Sequence, residues 1–409
     1  MLLSNVTMPL IIAGALGVPP EQVAILVQAV LVMAGLATIV QAYPIGPVGG
    51  RIPVVMGTSV AFVGASIAIG RQFGLAAVFG ACAVAALVEV ALGFSIGRVR
   101  RFFPPLVNGT VVMLIGLTLI PVGVDYAAGG VGAADYGAPV HLVVAGLVFA
   151  VTLALNQWGR GVLSYASVLV GVLVGYVVAA AAGLVNLAPV TAAAWLQAPA
   201  PLAFGFELRW SAVLVMAFVY VISTMETIGD ISGIVAAEGR EPTTAELRGG
   251  LVADGVMSGL AALFSAFPNT SYSQNVGLVN LTGVVSRHVT AITGAMLVAL
   301  GLVPKVAALF ASIPPAVVGG AGLILFAMIF ASGAAIVHRG VVMTRRSMVI
   351  LAASIGLGLG VELRPEAIQA LPEGIRALVG AGLVTGGIVA LVLNAVLPEE
   401  GGAAGQPRG

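Results

Sequence analysis

The sequence has few charged residues. It contains 17 Lys and Arg and 16 Asp and Glu among 409 residues, or 8% charged, whereas soluble domains contain roughly 25%. Hydrophobic residues make up 60% of the chain, and its mean hydropathy is +1.13. A soluble fold of this length cannot bury so much apolar surface. The composition therefore excludes a soluble protein, and the net charge of +1 gives no reason to expect a nucleic-acid partner.

Cysteine and histidine are also scarce. The single cysteine, Cys82, excludes an intrachain disulfide. The three histidines, His141, His288 and His338, fall at helix ends or in loops, where a solvated side chain is the simplest expectation. The sequence has no Cys and His cluster with metal-ligand spacing, no nucleophile elbow and no P-loop. We therefore predict that the protein is not an enzyme and holds no metal and no cofactor.

Long apolar runs are abundant, and they predict helices that cross a membrane. Inside lipid every backbone polar group needs a partner within the protein, and runs of about 16 to 25 residues fit helices better than barrel strands. We predict an all-α polytopic membrane protein with about 14 transmembrane segments. The Gly-rich tail, residues 398–409, is predicted to be disordered. The segments lie near residues 1–16, 22–42, 52–68, 73–95, 105–123, 141–158, 163–184, 211–236, 247–266, 271–283, 288–311, 314–337, 347–361 and 376–397.

The basic residues are distributed unevenly between the predicted loops. If the N-terminus is cytoplasmic and all segments cross, twelve of the 17 basic residues lie on the cytoplasmic side. This excess follows the positive-inside rule and favours an even number of crossings. It predicts a multi-pass protein of the cell (inner) membrane with both termini in the cytoplasm. The five basic residues on the other side are Arg71, Arg209, Lys305, Arg364 and Arg376.

Two segments are interrupted by small and polar residues. One interruption, Gly57–Phe62, lies in the third segment, and the other, Pro268–Gly277, opens the tenth. Ser59 and Ser273 occupy similar places about half a chain apart. Paired interruptions in two halves are typical of inverted repeats with a binding site near the middle of the membrane. The alternative is two ordinary glycine-rich packing seams between helices.

Four acidic residues fall inside predicted segments, where an ionisable group is costly and usually functional. Glu226 and Asp230 are four positions apart and share one helix face with no Lys or Arg in the same segment. Burial favours the protonated form of a carboxyl group, so Glu226 is suited to accept and release a proton. Asp254 is open to either a functional or a structural role. For Glu89, alone on an apolar segment, we expect a structural role.

The tenth segment supplies complementary polar groups. Gln274 and Asn275 carry amides with donors and an acceptor, and Tyr272 carries an aromatic ring and a hydroxyl. A planar base has edges of alternating N–H and C=O groups, which one carboxylate and one amide on facing helices can bind. Glu226 and Gln274 are therefore our candidate pair for such a base. The alternative is hydrogen bonding between helices, which is common in membranes.

Several motifs resemble the nucleobase–ascorbate transporters, the family of uracil and xanthine permeases. The stretch Gln274–Gly283 resembles the family signature, which reads Gln or Glu, Asn, any residue and Gly, with Thr eight positions after the first residue. Thr224–Asp230 is similar to the family's eighth-helix glutamate motif. Arg248–Gly255 and Pro314–Gly320 resemble its ninth and twelfth helices. The resemblance covers nearly the whole chain.

The resemblance implies a 7+7 inverted repeat divided into two domains. Residues 1–97 and 211–311 would form the core domain, and residues 98–210 and 312–397 the gate domain. The third and tenth segments would each contain a short extended stretch before a half-helix. Glu226 would be the main substrate-binding carboxylate, with Asp230, Asp254 and Asn275 adjusting proton coupling. The other implied substrate-binding residues are Gln274, Ser273, Tyr272, Val60, Ser59 and Ser4.

The resemblance also implies the activity. A purine nucleobase, xanthine or urate, would be imported by proton symport and alternating access, with the proton as coupling ion and a homodimer formed through the gate domain. Gln at position 274 is associated with the purine branch of the family. The alternatives are a uracil or pyrimidine permease of this family, or an anion carrier on the same 7+7 fold. An anion site would place a cation at the centre, which Glu226 opposes.

The first helix departs from the family pattern. Family members carry a Gln-His pair a few residues before the position that Met1 occupies here, so segment 1 is expected to be truncated at its N-terminus. A run that ends near Leu16 is short for a full span. We expect that the start codon is misassigned and that an upstream histidine supports Glu226. The alternative is a natural variant with a half-span.

Overall fold

The computed structural model describes residues 2–99 and 104–398, and these residues are mostly helical. The predicted tail, apart from Pro398, lies outside the described residues. The first half contains α1 (Leu2–Ala15), α2 (Pro20–Ala42), β1 (Met56–Thr58), α3 (Ala61–Phe73), α4 (Leu75–Phe94), α5 (Ile96–Val99), α6 (Pro105–Ala127), α7 (Pro139–Trp158), α8 (Val162–Tyr165), α9 (Ser167–Ala181) and α10 (Ala188–Ala192). The second half contains α11 (Trp210–Ala236), α12 (Thr244–Leu263), β2 (Asn269–Ser271), α13 (Ser273–Thr282), α14 (Arg287–Gly301), α15 (Pro304–Ala311), α16 (Pro315–Gly340), α17 (Arg345–Leu363), a 3-10 helix (Pro365–Ile368), α18 (Glu373–Val379) and α19 (Gly382–Val396).

The described elements account for the predicted membrane segments. Seven helices are long and apolar enough to cross a membrane, and α14 with α15 forms one further, bent span. Three shorter apolar helices, the two half-helices α3 and α13, and the more charged α12 complete the set of fourteen. Only 28% of the apolar stretch of α7, and 22% of that of α17, is buried within the protein. Their apolar outer faces therefore suit contact with lipid, and the predicted polytopic fold is confirmed.

Helix starts follow local sequence signals. Proline occupies the first turn of α2, α6, α7 and α16, where no backbone N–H is needed for the helix. Capping boxes begin α12, between Thr243 and Glu246, and α17, between Thr344 and Ser347. In each box the first side chain accepts a backbone N–H that would otherwise lack a partner.

The two predicted extended stretches pair with each other. β1 and β2 run antiparallel, with Met56 opposite Ser271 and Thr58 opposite Asn269. All six strand residues are buried. Because the strands are antiparallel, the half-helices α3 and α13 leave the pair at opposite ends. The N-termini of α3 and α13 therefore lie at the two ends of the strand pair.

Hydroxyl groups satisfy the outer edges of this strand pair. On one edge, the backbone N–H of Met56 donates to Thr38 Oγ1 of α2 at 3.0 Å. On the other edge, the N–H of Asn269 donates to Ser258 Oγ of α12 at 2.9 Å, and this hydroxyl donates back to the Asn269 carbonyl at 3.0 Å. Isolated strand edges in lipid would be costly, and these side chains remove that cost.

Each half of the chain packs on the other half through corresponding helices. Helix α2 packs on α14 and α12 packs on α4, while α6 packs on α16 between the halves. Glycines set the close approach: a side chain on Gly35 would meet the carbonyl of Gly294, and one on Gly109 would meet that of Gly333. This pattern is the one expected for an inverted repeat whose helices approach through small residues.

Some boundaries differ from the sequence expectation. The eleventh segment is bent by 83° between α14 and α15, and the fourteenth is divided into α18 and α19 near Gly380. The seventh segment is shorter than predicted, because residues 162–165 form the separate α8. Apolar composition does not reveal such breaks. The division into core and gate domains stays a prediction.

Candidate functional site

Tyr272 and Asn5 join three elements at the centre of the protein. The Tyr272 hydroxyl donates to Asn5 Oδ1 at 2.9 Å, and the backbone N–H of Thr58 donates to the same oxygen at 2.8 Å. Tyr272 itself is buried directly before α13. The amide of α1 thus fixes β1 and the start of α13 relative to each other. Asn5 is a residue that sequence reasoning missed, although a lone Asn in the apolar first helix is a signal for a role between helices.

Among the four acids of the predicted membrane segments, Glu226 has the most available carboxylate. It lies on α11, is partly exposed, and makes no hydrogen bond to any described residue. Asp230 and Asp254 lie close enough to act on it electrostatically. None of the ion pairs between described residues involves these acids. The Glu226 carboxylate is therefore free to bind a proton or an N–H donor.

Asp230 is held in place by two serines of the tenth segment. Ser271 Oγ and Ser273 Oγ each donate to its carboxylate at 2.7 Å. These bonds tie α11 to β2 and to the first turn of α13. Asp230 is therefore positioned one helix turn from Glu226, with both of its oxygens already accepting hydrogen bonds.

Asp254 connects α12 to the same network. Thr227 Oγ1 donates to Asp254 Oδ2 at 2.5 Å and lies 3.2 Å from Thr270 Oγ1. Ser271 Oγ also donates to Thr227 Oγ1 at 3.4 Å. Asp254 is fully buried. The hydroxyls of Thr227 and Ser271 thus link Asp254 to Asp230. The sequence of α11 indicated the position of Asp230 beside Glu226 but not this link to α12.

Gln274 and Asn275 have different environments although they are neighbours. Gln274 is exposed in the first turn of α13 and makes no hydrogen bond to any described residue. Asn275 is buried, and its amide donates to the carbonyl of Pro53 at 2.7 Å. The Gln274 amide is thus available to a ligand, whereas Asn275 secures the loop before β1.

Val60, Ser59 and Ser4 occupy the other side of the strand pair. Val60 is half-buried and lies directly before α3. Ser59 is buried; its Oγ accepts from the Ala61 N–H at 3.3 Å, and its own N–H donates to the Pro268 carbonyl at 3.0 Å. Ser4 is half-buried on α1. Val60 and Ser4 are therefore accessible, whereas Ser59 fixes the start of α3.

A cavity leads from one end of the protein toward Val60. It has a volume of about 460 Å³ and lies between α3, α6 and the chain from α17 to α18. A narrow cleft that includes Val60 shares Gly64, Thr118 and Glu362 with this cavity. The opposite half-helix, α13, leaves Gln274 exposed. The strand pair therefore lies between two accessible regions, each beside one half-helix.

Hydrogen bonds thus join Asp230, Asp254 and Ser273 into one network, and the predicted residues differ in whether their polar groups are available. Glu226 and Gln274 have free polar groups on two helices that pack together. The other three are already hydrogen-bonded: Ser273 of α13 donates to Asp230 of α11, and Asp254 of α12 accepts from Thr227 of α11. No cluster of three or more His, Cys, Asp or Glu side chains suited to a metal is found in the described ranges.

Comparison with known proteins gives related permeases along the whole chain. A family model described as "Permease family" matches residues 1–367. A Clostridium perfringens protein named as a purine permease, CPE0397, is 44% identical over 395 residues. The match covers 97% of this chain and 87% of that protein. The xanthine permease of Bacillus subtilis is 36% identical, covering 96% and 90%. The uric acid transporter UacT of Escherichia coli is 37% identical, covering 95% and 82%.

Solved structures with the same fold include more distant transporters. The transmembrane domain of the cyanobacterial bicarbonate transporter BicA matches with a TM-score of 0.62 at 19% identity, covering 88% of this chain and 93% of that one. The murine anion transporter Slc26a9 in its inward-facing state matches with a TM-score of 0.59 at 12% identity, covering 96% and 68%. At these identities the likeness concerns the fold alone.

Proposed function

The chain belongs to the permease family that includes the xanthine and uric acid permeases, and from this premise we propose that it imports a purine base, xanthine or urate, by proton symport. The observation that carries the proposal is the pair of free polar groups on packed helices, the Glu226 carboxylate and the Gln274 amide. Within the family, the relatives named above are xanthine, uric acid and purine permeases.

The two groups complement the edges of a purine. The Glu226 carboxylate accepts N–H groups from one edge, and the Gln274 amide both donates to a carbonyl and accepts an N–H on another. The backbone at Ser273 adds an N–H at the start of α13, and Val60 contacts the ring. Ser4 lines the site from α1. Ser59, Tyr272 and Asn275 support these residues through the hydrogen bonds described above.

Proton coupling follows from the isolated acids. Glu226 has no cation partner among the described residues, and its neighbours Asp230 and Asp254 are acids too. Several negative charges at one buried place repel, so Glu226 takes up a proton together with the substrate, and the carbonyl oxygen of its protonated carboxyl still accepts an N–H of the purine. Asp230 and Asp254, held in place by the hydroxyls of Thr227, Ser271 and Ser273, then set the proton affinity of Glu226 through their negative charge.

Alternating access takes place around the strand pair. The core helices that carry β1 and β2 move against the gate helices, so that the site opens first toward the cavity beside α3 and then toward α13. Further parts of the proposal are insertion in the cell membrane with cytoplasmic termini, supported by the asymmetry of basic residues, and a homodimer through the gate domain.

An anion carrier is the second candidate, because the structures with the same fold are bicarbonate and anion transporters. The partly exposed, unpaired carboxylate of Glu226 argues against it, since it repels an anion at the centre. A uracil permease binds a single pyrimidine ring, whereas a purine permease binds a fused double ring. Competition between labelled and unlabelled bases therefore distinguishes the two activities.

The test is uptake of labelled xanthine, urate, uracil and bicarbonate by cells that express the protein, with and without an uncoupler. We expect uptake of xanthine or urate that collapses with the uncoupler. Preferred uptake of uracil would overturn the purine assignment, and uptake of bicarbonate alone would favour the anion carrier. Purine uptake that is insensitive to the uncoupler and needs sodium would overturn proton symport.

A further inference from the structure

Glu89 lies in the interior of the protein and not at its lipid surface. It is fully buried on α4, which packs against both α11 and α12. Thr224 of α11, two positions before Glu226, donates its hydroxyl to Glu89 Oε1 at 3.4 Å. The sequence favoured a structural role because Glu89 is alone on an apolar segment. The fold instead places it against the network of acids that surrounds Glu226.

Glu89 and Asp254 each have one carboxylate oxygen without a partner. Glu89 Oε2 and Asp254 Oδ1 are buried and make no hydrogen bond to any described residue. Their other oxygens accept from threonines of the same helix, Thr224 and Thr227. The two side chains also interact electrostatically. Two buried carboxyls that act on each other electrostatically cannot both be ionised without a large cost.

Among the residues whose side chains the structure describes, the groups that face Glu89 contain no cation to offset this cost. From α12 it faces Asp254, and from α11 it faces Glu226 and Tyr220. The only ionisable residue of α3, Arg71, lies in the last turn of that helix and does not act on Glu89. A shared proton is the remaining means of joining the two free oxygens, because a protonated carboxyl is a hydrogen-bond donor.

We propose that Glu89 and Asp254 form a carboxyl pair that shares one proton, and that this pair is a proton-holding site distinct from Glu226. Thr224 and Thr227 hold the two acids against α11, on a different face of that helix from Glu226. When Glu226 loses its proton, its negative charge adds to that of the ionised member of the pair. Glu89 is thereby a positioning residue, which sets how strongly Asp254 and Glu226 hold protons. The transport part of this inference rests on the proposed function.

The first test is the pH profile of xanthine uptake by Glu89→Gln. A neutral amide does not repel the ionised form of Asp254, so Asp254 loses its proton sooner. We expect the alkaline limb of the profile to move to lower pH by about one unit, a tenfold change in proton concentration. KM for xanthine in acid is expected to change less than twofold. Glu89→Asp should restore most of the profile, because it keeps a carboxyl.

The matched control is Glu21→Gln, since Glu21 is an exposed acid in the first turn of α2. Its profile should superimpose on that of the natural protein. A merely structural Glu89 would lower the amount of protein in the membrane, or raise KM, without moving the profile. A Glu89→Gln profile that superimposes on the control would overturn the shared-proton pair.

The second test does not depend on transport. Infrared spectra of the purified protein at neutral pH should contain the C=O band of a protonated buried carboxyl. Because a protonated Glu226 also contributes to this band, the pair is identified by the part that shifts or weakens in both Asp254→Asn and Glu89→Gln and is kept in Glu226→Gln and Glu21→Gln. Its presence with uptake that does not respond to protons would contradict the proposed function but leave the pair intact. The absence of the band from the natural protein would contradict the pair.

Discussion

The hydroxyl of Tyr272 donates to the side-chain oxygen of Asn5 at 2.9 Å, across 267 positions of the chain. This bond connects the first helix to the start of α13 and also adjoins the N–H of Thr58, which donates to the same oxygen. Both side chains are buried. The contact therefore ties together the two half-chains at the strand pair.

Removing this contact should lower stability more than it changes the substrate preference. Tyr272→Phe deletes one buried hydrogen bond and should cost about 1 kcal/mol. Asn5→Ala leaves the Tyr272 hydroxyl and the Thr58 N–H without their acceptor, so it should cost about 1–3 kcal/mol for each group. Thermal unfolding in detergent measures the order. Equal stability of Asn5→Ala and the natural protein would show that the Asn5 contact is not formed.

Glu226→Gln tests the proposed proton and substrate carboxylate. The amide keeps the shape but cannot take up a proton, so uptake at the optimal pH should fall at least about tenfold, or about 1.4 kcal/mol. The remaining uptake should not respond to an uncoupler. Glu241→Gln, at an exposed acid after α11, is the matched control and should behave as the natural protein does. Equal uptake by Glu226→Gln at all pH values would refute the role of Glu226.

Gln274 should decide how the purine is bound. Gln274→Ala removes both a donor and an acceptor from the site, so KM for xanthine should rise about tenfold or more. Because Gln274 makes no hydrogen bond to a described residue, stability should remain close to that of the natural protein. Gln22→Ala, at an exposed glutamine of α2, is the control. An unchanged KM in Gln274→Ala would place the substrate elsewhere.

The crossing of α2 and α14 should be sensitive to a single methyl group. A side chain at Gly35 would meet the carbonyl of Gly294, so Gly35→Ala should destabilise the protein by about 1–3 kcal/mol. Gly146 on α7 has no heavy atom within 4 Å of the added position. Gly146→Ala is therefore the control and should be neutral or stabilising, as alanine favours helices. Equal melting temperatures would show that the two helices can separate without cost.

Some parts of the site were predictable because their cost is local. An acid in an apolar segment is expensive wherever that segment lies, so Glu226 and Asp230 stood out from the sequence. The interruptions at Gly57 and Pro268 broke otherwise apolar runs and could be located from the sequence, and the family resemblance implied an extended stretch at each. The structure confirms both stretches as the strands β1 and β2.

Other parts depend on the register between distant elements, which local composition does not contain. The two serines on Asp230 and the Asn5 amide acquire their partners only when β1 and β2 pair. The neighbours of Glu89 could not be predicted for the same reason, since nothing in α4 itself indicates that α11 and α12 pack on its acid. Contacts between side chains that are far apart in the sequence can be identified only once the fold is known.

The most direct test of the account is proton movement driven by a purine across a sealed membrane. The purified protein is placed in liposomes that contain a pH-sensitive dye, without any initial gradient, and xanthine, urate or uracil is added outside. The account predicts acidification of the interior by xanthine or urate, little response to uracil, and none in liposomes with Glu226→Gln. Entry of labelled xanthine or urate into the same liposomes without a change in internal pH would contradict proton symport.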